Sequence, residues 1–343
     1  MMNISYPIID LHEDIAYYLM NSGSLEEGFQ DFDVDAPSRQ SDLPKLIRGN
    51  VKVVFGAVFP IHDTYNPMIG ERISSGYGTQ SAKSYTPTAS KLIGLEMIKI
   101  YLILARRFSN RLKIIEGYPD IEQVMNSDLI GLLMSVEGAD MFDDVYDLLL
   151  LHRLGVRALG ITWNFDNRYG ASCFTRKDYG LTSDGEELVR LANELGIIID
   201  LAHASRNTMI DVLSISKKPV IISHANVQGV HKHLRNVGDD VLELLVRNHG
   251  VIGITMIPST IGPKPNIDSL VRHVLYIRER FGPDVIAIGT DFLGIERTPE
   301  DLTNIGEITK LLNRLAEYGL GDNDIRKIAF ENALRVIRDN LAL

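Results

Sequence analysis

The chain has 343 residues but only one cysteine, Cys173, and one tryptophan, Trp163. A single cysteine excludes an intrachain disulfide. With no CxxC partner, Cys173 reads as a small packing residue rather than a nucleophile. Long apolar runs are missing too: none approaches the roughly 20 residues needed to span a bilayer. The opening MMNISYPIIDLHED has no basic stretch and no extended apolar core, so no secretory signal is expected there. Positive charge is also in deficit. Lys and Arg total 35 against 45 Asp and Glu, a net charge of −10, which argues against nucleic acid or an anionic membrane as a partner. No Gly-rich phosphate loop follows the first apolar run, and there is no internal repeat, low-complexity tract or interdomain linker. A soluble, cytoplasmic protein is the expectation.

What is present is enough for a large core: 45% of residues are hydrophobic and 23% charged. Apolar runs of strand length recur near 6–11, 51–59, 130–136, 156–162, 196–202, 219–223, 250–256 and 284–290. Continuous Val/Ile/Leu runs suit strands buried on both faces of a parallel sheet. Helical patterns separate most of them, at 91–108, 183–196, 205–216, 239–248, 267–281 and 301–318. Ser183, three residues before Glu186, has capping-box spacing, and Gly196 ends that helix. Eight alternating units predict a single (β/α)8 TIM-type barrel domain over 1–343. A polar loop insertion is expected near 60–88 and a last helix near 322–341.

Residues of metal-ligand type end several of these runs. His12 and Asp14, two apart on a strand, share a side, while Glu13 points away and Asp10 shares their parity. Asp10 is therefore expected to support the site from behind. Glu137 follows a largely apolar run, where a carboxylate is costly to bury unless paired or metal-bound. Its two oxygens can bridge two cations. His203 and His224 end consecutive runs, and neighbouring strands are close enough for two imidazoles to share one ion. Asp291, after VIAIGT, could bind metal or shuttle a proton. Arg235 could pair bidentately with a substrate carboxylate, or form a surface ion pair with Asp239 or Asp240. His62, His152, His231, His233, His249 and His273 read as surface or satisfied residues.

Seven segments together resemble the membrane (renal) dipeptidases, peptidase family M19: DLHED, SDLPKLIRGNVKVVFGAVF, SVEGAD, LGVRALGITWN, GLTSDGEELVRLANELGIIIDLAHAS, PVIISHANVQGVHKHLRNVGDDVL and IGTDFLGI. The resemblance covers roughly 6–340, with the motifs in family order. It implies a metal-dependent barrel of the amidohydrolase type, usually a homodimer with two zinc ions, acting on dipeptides. It implies that His12 and Asp14 hold one zinc, that Glu137 bridges both, and that His203 and His224 hold the second. Asp291 matches the catalytic aspartate, and Arg235 the arginine that holds substrate. Mn, Co or Fe also suit His/carboxylate ligands.

The chain departs from the family at three places. Trp163 stands where the mammalian dipeptidases have a histidine that contacts the substrate carbonyl. Leu293 replaces an acidic residue, and an aromatic substrate contact is missing around Ile257. With Trp163 there, the carbonyl is expected to lean on the metal or on Asn164. Hydrolysis of dipeptides through a metal-bridging hydroxide is the leading expectation. A related amidohydrolase acting on N-acyl amino acids, lactams or esters is one alternative, and a non-catalytic metal-binding barrel another.

Overall fold

The computed structural model describes residues 6–21, 31–60 and 87–342. All but the ends of the expected 60–88 loop lie outside the described residues. The described chain forms nine strands: β1 (Ile8–Glu13), β2 (Val51–Val58), β3 (Leu112–Ile114), β4 (Ile130–Val136), β5 (Val156–Gly160), β6 (Ile198–Asp200), β7 (Ile221–Ile222), β8 (Val251–Ile254) and β9 (Ile286–Ile288). All pair in parallel. Eight close a barrel in the order β1–β2–β4–β5–β6–β7–β8–β9, sealed where β9 returns to β1. These are the eight expected strands.

Strand β3 is an addition to the expected set. It pairs with the first half of β4 (Leu112 with Ile130, Ile114 with Leu132), while β5 takes the second half of the same edge. Three residues with a lysine in the middle carry too little pattern to announce a strand.

Ile9, Leu11, Val53, Phe55, Leu133, Ile198, Ile221 and Val251 fill the barrel interior and are fully buried. The helix Asn332–Leu341 adds Ala333, Val336 and Ile337 to the same cluster. It closes the amino end of the barrel. Asn332 Nδ2 donates to the Pro283 and Ile286 carbonyls, and Asn340 Nδ2 to that of Pro219, all at strand beginnings. The opposite, carboxyl end stays open for loops, which is where barrel sites form.

Local sequence chemistry sets the helices that follow the site strands. Ser205 caps Arg206–Ile215, its Oγ accepting from the Thr208 N–H at 3.1 Å, and so fixes the chain two residues after His203. The helix Ser183–Leu195 is capped by Thr182, not Ser183. The Thr182 Oγ1 accepts from the Gly185 N–H at 3.1 Å, while Ser183 is the first helical residue. Gly196 ends it at φ 70°, the left-handed cap glycine favours. The segment expected to be helical over 301–318 is so only over Thr309–Glu317, after a short 3-10 turn at Ile305–Glu307. The last helix runs as expected over 322–341, with a π turn at Lys327–Glu331.

Candidate metal centre

In β1, the four residues from Asp10 to Glu13 lie opposite the three from Val54 to Gly56 on β2. This bulge inserts one residue and breaks the alternation. Leu11 lies in the interior core, yet His12 and Asp14 also reach the site at the barrel mouth. Asp10 does not share their direction, contrary to the parity expectation. Its carboxylate accepts from the Thr290 N–H at 2.8 Å, the Thr290 hydroxyl at 2.6 Å and the His12 N–H at 3.2 Å. Asp10 thus clamps the ends of β1 and β9 by their backbones. Asp200 does the same between β6 and β7, accepting from the Ala202 and Ser223 N–H groups at 2.9 Å each.

The five expected ligands converge. His12, Asp14 and Glu137 bring ligand atoms within 4.8 Å of one another, as do Glu137, His203 and His224. Glu137 belongs to both groups. Its Oε1 is 3.0 Å from His203 Nε2 and 3.6 Å from His224 Nε2, and its Oε2 is 3.6 Å from His12 Nε2. Asp14 Oδ2 is 3.4 Å from His12 Nε2. Asp291 Oδ1 lies 3.7 Å from that same nitrogen and groups with His12 and His224. All are buried.

The electrostatics fit a cationic occupant. Three buried carboxylates crowd one spot, where like charges repel strongly unless positive charge is supplied. Burial pushes the Asp291 carboxyl well above its usual range; His12 opposes this, and Asp14 and Glu137 reinforce it. Burial would also raise Glu137, but the charge of nearby His12 and then the close approach of His203 outweigh it and hold Glu137 below its usual value. Burial and then the Arg235 charge push His203 down to about 3, and His224 is likewise held well below the ordinary imidazole value. Neutral imidazoles are the form that ligates metal. Both ring nitrogens of His12 are buried without a hydrogen-bond partner. The Nε2 atoms of His203 and His224 face each other at 2.9 Å. Arg235 Nη2 is 2.9 Å from His203 Nε2, a positive group against the lone pair a metal ion would take. The donor set is of the His/carboxylate type that holds divalent ions.

Asn164 Oδ1 is 2.7 Å from His203 Nδ1, which fixes the proton on Nδ1 and turns the Nε2 lone pair toward Glu137. Its oxygen is thereby committed to His203, and only its NH2 is left to meet a substrate carbonyl. Ser223 Oγ plays the same part for His224 Nδ1 at 2.7 Å. Arg235 is buried and makes no surface pair: Asp239 binds Tyr276 and Arg280 instead, and Asp240 binds Arg206.

A cavity of about 460 Å³ opens above these groups, lined among others by Asp14, Glu137, Trp163, Asn164, Arg235 and Asp291. His233, expected to be a surface or satisfied residue, is satisfied, its Nδ1 accepting from the Arg235 N–H at 3.1 Å, and it also lines the cavity. His273 is satisfied inside the fold, between the Val227 N–H and the Ile261 carbonyl.

Sequence reasoning missed two residues that hold the loop after β9. Asp291 and Leu293 both lie in the left-handed region, at φ 65° and 69°, as His203 does at 66°. Such backbone costs about 1–3 kcal/mol per residue unless the surroundings enforce it. Gln40 enforces it here: its Oε1 accepts from the Leu293 N–H at 2.7 Å and its Nε2 donates to the Ile295 carbonyl at 2.6 Å. Gly294 is the second. A Cβ there would fall 2.2 Å from Asp14 Oδ2 and 2.8 Å from Asp291 Oδ1. The signal available was LGI after the aspartate, which a bare glycine does not make specific.

A family model described as membrane dipeptidase (peptidase family M19) matches residues 2–342. The chain is similar to the dipeptidase verJ of Clonostachys rogersoniana, 30% identical over 96% of this chain and 83% of that relative. It is 31% identical to an uncharacterized dipeptidase of Schizosaccharomyces pombe, over 96% of this chain and 79% of the relative. Among solved structures, a metallopeptidase from Rhodobacter sphaeroides, liganded with a phosphinate mimic of L-Ala-D-Ala, superposes with a TM-score of 0.87. It is 21% identical and covers 98% of this chain and 100% of that one. No described helix is long and apolar enough to cross a membrane. Barrel, ligand cluster and whole-length match agree: the chain belongs to the membrane dipeptidase family, peptidase family M19, and is a metallo-dipeptidase of that family.

Proposed function

We propose that this protein is a zinc-dependent dipeptidase with two ions in the barrel mouth. His12 and Asp14 hold one, His203 and His224 the other, and Glu137 bridges them. The observation that carries this reading is the division of Glu137: one oxygen faces His203 and His224, the other His12. When bound, such an ion pair supplies Lewis acidity for a carbonyl and a source of hydroxide near neutral pH.

The chain's own residues do the rest. Asp291, at the edge of the ligand cluster and on the cavity wall, takes a proton from water and returns it to the leaving amine. Arg235 presents its guanidinium to the substrate's terminal carboxylate and so favours short peptides. Asn164 and Ser223 keep the histidine tautomers fixed. Trp163, 7% exposed, has taken the place of a polar carbonyl contact and keeps water from that side. The reading includes a cytoplasmic homodimer. The homodimer finds support in the exposure of Leu92, Leu149 and Leu150, apolar side chains on two helices joined by the Lys91–Asp147 ion pair.

The test is hydrolysis by zinc-loaded protein of a dipeptide panel that includes D-residues at the second position. N-acyl amino acids, lactams and esters run alongside. We expect dipeptide cleavage, and an Asp291→Asn variant that keeps its metal but loses about 10²–10⁴-fold in kcat. If the loaded parent cleaves no dipeptide but does cleave another member of the panel, the substrate assignment fails.

A further inference from the structure

Three aromatic rings from three separate segments form one continuous wall of the cavity. Tyr17, from the helix after β1, meets Phe59, at the end of β2, edge to face with centroids 5.4 Å apart. Phe59 meets Trp163, just beyond β5, at 4.9 Å and 69°. Phe165 packs against Trp163 at 5.4 Å, and Trp163 ends the row 6.0 Å from the His203 ring. Tyr17, Phe59 and Trp163 all line the cavity. The cationic lining groups come from elsewhere, Arg235 from the loop after β7 and Arg297 from the loop after β9, while Asp14 and Glu296 lie close enough to Tyr17 to add to the upward push that burial gives its phenol. In the eight-strand ring β2 and β7 are four strands apart in either direction. Phe59 therefore ends the strand opposite the one whose loop carries Arg235.

This arrangement gives the cavity a direction. A dipeptide whose terminal carboxylate meets Arg235 and whose scissile carbonyl lies over the ligand cluster directs its first residue away from β7, toward Phe59. We propose that the Tyr17–Phe59–Trp163 wall is a subsite for a bulky apolar side chain on the residue that supplies the scissile carbonyl, best filled by an aromatic ring. The proposal rests on the dipeptidase reading. Edge-to-face rings present apolar surface that a further ring extends in the same geometry. An acidic side chain there would lose its water and face the Asp14 and Glu296 carboxylates near Tyr17. An apolar pocket separates substrates differing by a methylene by about 10–200-fold.

The experiment measures kcat/KM of the zinc-loaded protein on Phe-Ala, Leu-Ala, Ala-Ala and Glu-Ala. Phe-Ala is expected to exceed Ala-Ala by about 10–200-fold, with Glu-Ala the poorest. In Tyr17→Ala the Phe-Ala to Ala-Ala ratio should fall by about tenfold. A loss of metal or fold would instead lower both substrates together. Phe59→Leu, which keeps an apolar side chain, should lower the same ratio less. Trp163 is the chain's only tryptophan, so its emission reports occupancy of the wall directly. In zinc-loaded Asp291→Asn, Phe-Ala should shift that emission with at least about tenfold lower Kd than Ala-Ala. Hydrolysis without preference, and a ratio unmoved in both variants, would overturn the subsite and leave the dipeptidase reading standing. Tighter Phe-Ala binding at Trp163 with no dipeptide hydrolysed would keep the subsite and remove the dipeptidase reading. Neither binding nor hydrolysis would overturn both.

Discussion

Beyond the ends of β1, β4, β6 and β7 the candidate ligands are all buried, and each of the three histidines has a dedicated support. Asp10 clamps the backbone of His12, Asn164 and Ser223 hold the two other imidazoles, and Asp200 ties β6 to β7. On the substrate side Phe59 stands at the end of β2, but most lining residues come from loops and from a helix start. Tyr17, His233, Ile257 and Arg297 are of this kind. The difference follows from what each half must do. Ion binding tolerates only small errors in ligand position, so its residues lie where the barrel is most rigid. Substrate choice can be retuned by one loop residue, and Trp163 and Ile257, two positions expected from the sequence to depart from the family pattern, line this side.

If the metal half depends on its supports, removing one should be costly without touching a ligand. Asn164→Ala should weaken metal binding by about 10–100-fold, read by competition with a chelator, because His203 loses the partner that fixes its tautomer. Metal affinity equal to the parent's would mean that the two halves do not differ in this way. A smaller effect on turnover is expected from Gln40→Ala, which releases the loop carrying Asp291. Two partly buried hydrogen bonds are lost, about 1–3 kcal/mol in unfolding stability. Calorimetry should show that loss, and kcat should fall while the ion content stays the same.

The smallest effect on turnover is expected at Asp140, which lies beside the Glu137 loop but outside the ligand set. Burial pushes its carboxyl up to about 6, opposed by the hydrogen bond from Asn167. Its folded pKa lies above the unfolded value, so the native state holds the proton more tightly. Stability is then highest below about pH 4 and declines as pH rises toward 6, by at most about 3 kcal/mol. Asp140→Asn removes that decline. Denaturant melts should show the variant gaining on the parent at pH 7 but not at pH 4, with turnover at pH 7 little changed.

The same contrast governs how much of the molecule is legible in its sequence. The eight barrel strands are legible because each is a continuous apolar run. The five candidate ligands are legible because a polar residue ending such a run is costly to bury unless it is paired or bound to an ion. The bulge in β1 is not legible. It reverses the direction of Asp10 relative to His12, and an inserted residue leaves the apolar pattern intact. Nor is the left-handed backbone at His203, Asp291 and Leu293, which depends on tertiary contacts such as Gln40, more than 250 residues from Leu293 in sequence. Gly294 has a reason only once Asp14 and Asp291 are seen beside it. No strand pattern surrounds His233, so it reads as a surface or satisfied residue, and its place on the cavity wall does not show in the sequence. Strand-end reasoning therefore finds the metal half of such a mouth and overlooks the other.

The central claim is that one carboxylate, Glu137, joins two ion sites. It is tested most directly by counting zinc ions per chain, by elemental analysis after gel filtration, in the parent and in Glu137→Ala. Two ions in the parent, and loss of both sites' affinity together in the variant, is the predicted result. A single ion in the parent, or two ions that survive the loss of Glu137, would contradict it.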